Sequence, residues 1–345
     1  MLASTTELIR YLRRPAEQQE DAVRQALVNA VWLGGSADDA RALLAEYRQF
    51  PFAATHACLL PVFERHGDAS FARVLTEACC PAGELLPDAP AEVLSLVARL
   101  GDSGIKPLLV RYAFGTGVGY NVAKHAALGL LHVDCRDLEQ QIRAAIEATY
   151  RKNLFPEFIP ALVCKLPDRA ELLARLYQSG TEYCSTDCNA GILLGFSLCG
   201  AEGVSYFKQA LLSPAWEAHG SGSGTRWYAY LGMQNLGLTF QELYAEIQRL
   251  GSSQEQRYAV GVLLALLRLK AGPYSYTDRA PEPFAELYPA LFGWESPEHR
   301  NNLQDLAATF GREDEADELE ALMQLRLQQE VLQLDCTRRL NIGLC

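Results

Sequence analysis

The sequence predicts an all-α protein, an α-solenoid (α-α superhelix) of about nine helix pairs, from two observations. A turn-forming residue recurs at gaps of 33 to 39 residues, and the apolar positions between turns fall three or four residues apart. Such spacing places them on one face of a helix. A period of this length with two helices per repeat is typical of solenoid proteins. The turn residues are Gly34, Gly67, Gly101, Asp134, Pro167, Gly200, Gly237, Gly272 and Gly311.

Each turn residue separates two predicted helices. The helices before the turns, such as those ending at Gly34, Gly129 and Gly195, contain small residues, which let neighbouring helices approach closely. The helices after the turns carry an amphipathic stripe, as in residues 40–47, 138–146 and 240–247. Ser36 stands directly after Gly34-Gly35, where it provides the N-cap that a helix start prefers.

Proline residues and longer loops mark departures from this pattern. Pro156 and Pro160 fall at the second helix of one repeat and predict a kinked or shortened helix there. Residues 80–90 and 271–283 replace short turns by longer loops rich in proline. The repeat therefore predicts helix pairs of unequal length.

A repeat array grows by adding units, so we predict one elongated domain over residues 1–345. Its helical repeats run from about 16 to 311, and a polar-faced helix at about 312–334 caps the array. Residues 335–345 form a short tail.

The chain resembles the HEAT-like repeats of the bilin-lyase type over about residues 16–330. The resemblance lies in a Val-Arg start, an Ala-Leu-Gly near the end of the helix and a following Gly-Asp. It implies an armadillo-type fold. It does not imply one function, because this superfamily includes scaffolds, lyases, chaperones and DNA-repair enzymes. The matching residues are Val23-Arg24, Leu100-Gly101-Asp102, Ala127-Leu128-Gly129 and Leu231-Gly232.

Charge and composition exclude some partners. The net charge of −11 disfavours nucleic acid, which needs a dense basic face, and suits a basic protein or peptide. No apolar run is long enough to cross a membrane, and the start lacks the features of a secretory signal, so we expect a cytoplasmic protein. The ten cysteines are expected to be reduced, as buried thiols such as Cys58, Cys79, Cys164 and Cys199.

Sequence signals for chemistry are weak. The glycine-rich stretches 115–119 and 220–224 each precede a predicted helix, whose amino end can hold an anion, but neither ends as a P-loop does. We interpret them as loops. Cys184 and Cys188 have a spacing that suits one helix face, yet no second ligand pair follows, so we predict no metal and no cofactor.

Polar and aromatic side chains predict a binding face. In several repeats a polar residue stands at the start of the second helix. Such residues either form a column that binds a partner, or form a ladder of hydrogen bonds to neighbouring turns that holds the stacked helices together. Aromatic residues concentrate between 201 and 294, and tyrosine, tryptophan and arginine dominate many interfaces. The column is Arg24, His56, Lys124, Asn189, Arg226 and Arg300. The predicted binding residues are Tyr120, Asn121, Lys124, Asn189, Arg226, Trp227, Tyr230, Arg257 and Tyr258.

These features predict a non-enzymatic repeat protein that binds a protein or peptide on its concave face, and the net charge of −11 favours a basic partner. A scaffold, an assembly chaperone and an immunity-type protein all fit this description. The alternative is an enzyme or lyase-like protein that acts on a small or carrier-bound substrate held by the middle repeats. Its acid–base groups would come from Tyr120, His125, Asp187 and Cys188.

Overall fold

The described part of the chain is helical throughout. Every regular element in it is an α-helix or a 3-10 helix, which confirms the predicted all-α class. Contacts divide the chain into two compact units, Met1–Leu138 (unit 1) and the residues from Glu139 onward (unit 2). The computed structural model describes residues 1–50, 53–150, 158–182, 186–216 and 225–252, together with Glu255, Tyr258, Ala259, Val262 and Leu266.

Unit 1 is built from four consecutive helix pairs, α1–α2, α3–α4, α5–α6 and α7–α8. The second helices also contact one another in order along the chain, α2 with α4, α4 with α6 and α6 with α8. Large buried side chains, among them Trp32, Phe63 and Phe71, fill the space between them. The helices are α1 Ala3–Leu12, α2 Asp21–Gly34, α3 Ala37–Glu46, α4 Ala53–His66, α5 Ala69–Cys79, α6 Glu92–Arg99, α7 Lys106–Phe114 and α8 Tyr120–Leu130.

Unit 2 continues the alternation with one irregular member. Its second helix is a six-residue 3-10 helix, Pro160–Lys165, which contacts α11, and α11 in turn contacts α13. Pro160 begins that element, so the predicted shortening is confirmed there. The α-helices are α9 Glu139–Tyr150, α10 Ala170–Glu182, α11 Thr186–Leu198, α12 Val204–Leu212, α13 Thr225–Asn235 and α14 Phe240–Ile247.

Seven of the predicted turn residues, from Gly34 to Gly237, end or follow a helix, as the repeat requires. Gly101, Gly200 and Gly237 have φ angles of 98°, 57° and 64°, in the left-handed region that favours glycine. The remaining two, Gly272 and Gly311, lie outside the described residues, as do the predicted capping helix and the tail.

Local capping explains where α3 begins. Ser36 and Asp39 form a capping box, in which the Asp39 backbone N–H donates to Ser36 Oγ and the Ser36 backbone N–H donates to Asp39 Oδ2. The predicted N-cap is therefore confirmed. The Asp39 carboxylate also accepts from the Thr5 hydroxyl and the Leu2 backbone N–H, both at 2.6 Å, so the same residue ties α1 to α3.

Candidate functional site

A pocket of about 910 Å³ lies in unit 1, between the carboxyl ends of α3 and α5 and the amino end of α4. The loop between α5 and α6 forms its outer wall. Its volume falls within the range of ordinary ligand sites, about 300–1,000 Å³. The lining residues are Tyr47, Arg48, Phe50, Ala54, His56, Glu77, Ala78, Cys79, Leu86, Pro87, Asp88 and Ala89.

Aromatic rings form the floor of the pocket. Tyr47 and His56 stack with ring centroids 4.2 Å apart, and Tyr47 packs edge-on against Phe63 below it at 5.5 Å. Tyr47, Phe50 and Cys79 are buried. The Tyr47 hydroxyl lies 3.8 Å from Cys79 Sγ, a contact that joins the 3-10 turn after α3 to the last turn of α5. The floor is therefore fixed by packing from two helix pairs.

His56 lies in this floor as a neutral imidazole. Burial lowers its pKa, and the backbone carbonyl oxygens of Tyr47 and Phe50 oppose that effect only in part. The Nε2 atom is buried without a hydrogen-bond partner among the described residues. A neutral imidazole has one N–H donor and one lone-pair acceptor. Because carbonyl oxygens only accept, they favour a tautomer with the N–H towards them, and the other nitrogen is then an acceptor.

Charged and exposed side chains form the rim. A guanidinium nitrogen of Arg48 lies 3.5 Å from a carboxylate oxygen of Glu77, and both side chains are about half exposed. Asp88 is also exposed, and its carboxylate makes no hydrogen bond or ion pair with any described residue. Leu86, at 42% exposure, is one of the few large apolar side chains that the described surface exposes. The rim thus combines a carboxylate that no described residue pairs with and an exposed apolar side chain.

The loop that carries this rim is anchored to α7. The Tyr112 hydroxyl accepts from the Leu85 backbone N–H at 3.0 Å, and Arg111 donates to the Gly83 carbonyl at 2.8 Å. Ala82 has φ 55°, a left-handed conformation that is costly for a residue with a Cβ. The long loop seen in the sequence is therefore held in one conformation, which gives the pocket a defined wall.

The pocket suits binding better than covalent chemistry. Burial raises the pKa of the Cys79 thiol, which keeps it protonated and unreactive. Burial also raises the pKa of the Tyr47 hydroxyl. A nucleophile needs the opposite shift or an adjacent base within hydrogen-bond reach. The described lining provides neither.

A second polar cluster joins α6 to α8. His125 Nδ1 lies 3.3 Å from Ser95 Oγ, and His125 Nε2 lies 3.8 Å from a Glu92 carboxylate oxygen. Ser95 Oγ donates to the Glu92 carbonyl at 2.9 Å, so its hydrogen is already used. Burial, with a smaller contribution from Lys124, lowers the pKa of His125 to about 3. We interpret this cluster as a buried link between helices.

The predicted binding residues lie in both units. Tyr120 and Asn121 are exposed and Lys124 is half-buried at the start of α8. Asn189, at 1% exposure, and Tyr230, at 0%, are buried in unit 2. Asn189 donates from Nδ2 to the Trp216 carbonyl at 2.6 Å, a bond of the ladder type. A role for these residues in binding a partner stays a prediction.

Several other predicted features lie wholly or partly outside the residues that the structure describes. Arg226 and Trp227 belong to α13, whose first side chains are not described, and Tyr258 is half-buried. Arg257 is outside the described residues. The same holds for Cys184, Arg300, the glycine-rich stretch 220–224 and the loop 271–283.

The sequence did not point to the pocket as a whole. It singled out His56 as a column residue and residues 80–90 as an unusual loop, and the structure brings these two together with Tyr47 and Glu77. The proline-rich composition of that loop was the available signal. Tyr47 and Cys79, 32 positions apart, meet only after folding.

Comparison with known proteins adds few constraints. The chain matches no protein-family model, no curated protein and no solved structure. Among the described residues, no helix has the length and apolar character needed to cross a membrane. No group of three or more His, Cys, Asp or Glu side chains in the described part could hold a metal ion.

Proposed function

We propose that this chain is a non-enzymatic helical-repeat protein that binds a protein or peptide partner, and that the pocket of unit 1 receives a segment of that partner. The observation that carries the proposal is the pocket itself, about 910 Å³ with a fixed aromatic floor. A scaffold, an assembly chaperone and an immunity-type protein are the three kinds of protein that fit this proposal.

The surroundings of the pocket favour a macromolecular partner over a small molecule. Small-ligand sites bury about 70–90% of their ligand. Here six of the twelve lining residues are exposed, so a bound group stays open to solvent on one side. Exposed apolar surface at a rim, such as Leu86, is typical of protein interaction sites.

The solenoid and the HEAT-like resemblance belong to this proposal. Consecutive second helices contact one another within each unit, as expected of stacked pairs. We propose that the pairs continue as a solenoid of about nine HEAT-like repeats, in the cytoplasm. The pocket then lies between two successive repeats, and His56 is the residue that it shares with the column predicted from the sequence.

Peptide display tests the proposal. A random peptide library is selected on the immobilised full chain, and retained peptides are measured against two variants, Ala54→Trp and Ala69→Trp. Both alanines are exposed in the first turn of a helix, but only Ala54 lines the pocket. We expect Ala54→Trp to weaken binding at least about tenfold, because the indole fills the pocket, and Ala69→Trp to leave it unchanged.

Circular dichroism melting of both variants checks that they fold. Retained peptides that bind wild type and Ala54→Trp equally would remove the pocket from the proposal. A library that yields no retained peptide would contradict peptide binding itself.

A further inference from the structure

The polar groups of the pocket mostly accept hydrogen bonds. The accessible acceptors are the carboxylate oxygens of Asp88 and Glu77, whereas His56 Nε2 is buried in the pocket floor. Arg48 is the only charged donor among the described lining residues, and its guanidinium already pairs with Glu77. A ligand that satisfies these groups therefore brings donors.

The net charge of the lining has the same consequence. Two carboxylates, Glu77 and Asp88, and one guanidinium, Arg48, leave one negative charge. Asp88 is the carboxylate that no described residue neutralises. Because Asp88 is exposed, its carboxylate can pair with a cation at little desolvation cost. Its negative charge therefore attracts cations and repels anions.

Helix ends add to this preference. The last turn of α5, Glu77 to Cys79, and the 3-10 turn Tyr47–Gln49 after α3 present carboxyl ends, where the helix dipole is negative. The amino end of α4 also borders the pocket and is the positive end of its helix dipole, so two negative helix ends stand against one positive end. The rings of Tyr47 and Phe50 are buried in the floor, so they add apolar surface for the stem of a long side chain.

We propose that the pocket selects a basic side chain, a lysine or an arginine, of the partner segment. This inference rests on the proposed function above. The aliphatic stem packs against Leu86, Pro87 and the aromatic floor, and the cationic head reaches the carboxylate of Asp88. An acidic segment would instead meet two carboxylates. The chain's net charge of −11 further favours approach of a basic partner.

Ligand-observed NMR with small probes tests this directly. The probes are N-acetyl-arginine amide and N-acetyl-citrulline amide, which have nearly the same shape and differ in charge, with N-acetyl-aspartate amide as the acidic probe. Saturation transfer is measured on wild type, Ala54→Trp, Asp88→Asn and Glu17→Gln. Glu17 is exposed, makes no bond among the described residues and does not line the pocket, so Glu17→Gln repeats the charge change elsewhere.

We expect the arginine probe to bind wild type and Glu17→Gln alike, and to bind Asp88→Asn about two- to fivefold more weakly, as an exposed ion pair allows. Ala54→Trp should abolish its signal, and the citrulline probe should bind several-fold more weakly than the arginine probe. Higher salt should weaken only the cationic probe.

Three results would overturn the inference: equal or tighter binding of the citrulline or aspartate probe, an arginine signal that survives Ala54→Trp, or no binding by any probe. The peptide-display experiment distinguishes a failure of this inference from a failure of the proposed peptide binding. If pocket-dependent peptides are retained but lack lysine and arginine, peptide binding stands and the basic preference fails.

Discussion

Units 1 and 2 both pack their helices in pairs, and a different kind of contact stands out in each. In unit 1 polar groups link successive second helices, as in the Glu64–Arg99 ion pair of α4 and α6 and the His125–Ser95 contact of α8 and α6. In unit 2 Trp216 anchors an aromatic cluster, stacked on Tyr177 at 5.5 Å. The residues at the helix contacts thus decide how strongly, and by which interaction, neighbouring helices are held together.

Removing Trp216 should have the largest effect and tests the aromatic half of this comparison. Its ring is fully buried, and a Cβ placed on Gly180 would lie 2.3 Å from it, so the packing is close. We expect Trp216→Ala to lower the free energy of unfolding of unit 2 by about 3–5 kcal/mol. Hydrogen exchange should show lost protection in α10 to α12.

Protection in α2 to α8 should change much less in that variant. If unit 1 lost protection to the same extent, the two units would unfold together, as one cooperative body. Gly180→Ala provides a second check in the same place, since its new methyl group would collide with the indole.

The Glu64–Arg99 pair tests the polar half. Both side chains are about one-fifth exposed, and burial raises the pKa of Glu64 against the opposing effect of Arg99. We expect Glu64→Gln to cost about 1–3 kcal/mol, because Arg99 keeps its charge without its partner. The double variant Glu64→Met/Arg99→Met should restore most of the loss, as read from urea unfolding of unit 1.

A double variant as unstable as the single one would show that the pair contributes net stability. Unit 1 would then depend on charge in the way that unit 2 depends on aromatic packing. The fold of both variants can be compared by circular dichroism before the unfolding curves are analysed.

Acid should weaken unit 1 through His125. The folded protein holds this imidazole neutral, with a pKa of about 3, whereas the unfolded chain takes up the proton below about pH 6.5. The unfolded state therefore binds more protons, and stability falls as pH decreases, by at most about 1.4 kcal/mol per pH unit between these values. His125→Gln should flatten the loss between pH 6.5 and 4.

Carboxylates provide the contrast. Hydrogen bonds from Ser36, Thr5 and Leu2 outweigh burial and hold the pKa of Asp39 well below its usual 3.8. Its contribution is present above that value and is lost only at lower pH. An unchanged slope between pH 6.5 and 4 in His125→Gln would assign the acid sensitivity to other groups, among them His56 and His66, whose pKa values burial also lowers.

The smallest effect is expected at the surface. Arg13 and Glu46 join α1 to α3 with a nitrogen–oxygen distance of 2.7 Å, but the arginine side chain is 57% exposed. Arg13→Gln should therefore change the free energy of unfolding by about 0.5 kcal/mol or less. A loss above about 1 kcal/mol in thermal unfolding would show that exposed pairs between repeats matter more than their exposure suggests.

The local features of the fold were predictable from the sequence. Helix boundaries follow from short-range rules, such as the Ser36 cap and the helix shortened at Pro160, and the structure confirms both. The close approach at Gly129 was also predictable, since a Cβ there would lie 2.9 Å from Leu109. Each of these depends on one residue and its immediate surroundings.

The pocket depends on longer-range relations that single residues do not reveal. Arg111 and Tyr112 hold the loop from 27 or 28 positions away, and nothing in their sequence context marks them as loop anchors. The burial of Tyr230 is of the same kind. The sequence shows three neighbouring rings that cannot share one face, and only packing decides which ring lies inside.

The recurring Gly-Asp turn has a consequence for how such a chain can change its length. Asp68 and Asp102 each follow a glycine and accept from the backbone N–H two residues on, Ser70 and Gly104, both at 2.9 Å. Deletion of residues 68–101 would join Gly67 directly to Asp102 and offer Arg41 an equivalent carboxylate. Unequal recombination between these points would therefore remove or add a complete helix pair, together with the pocket, without new turn chemistry.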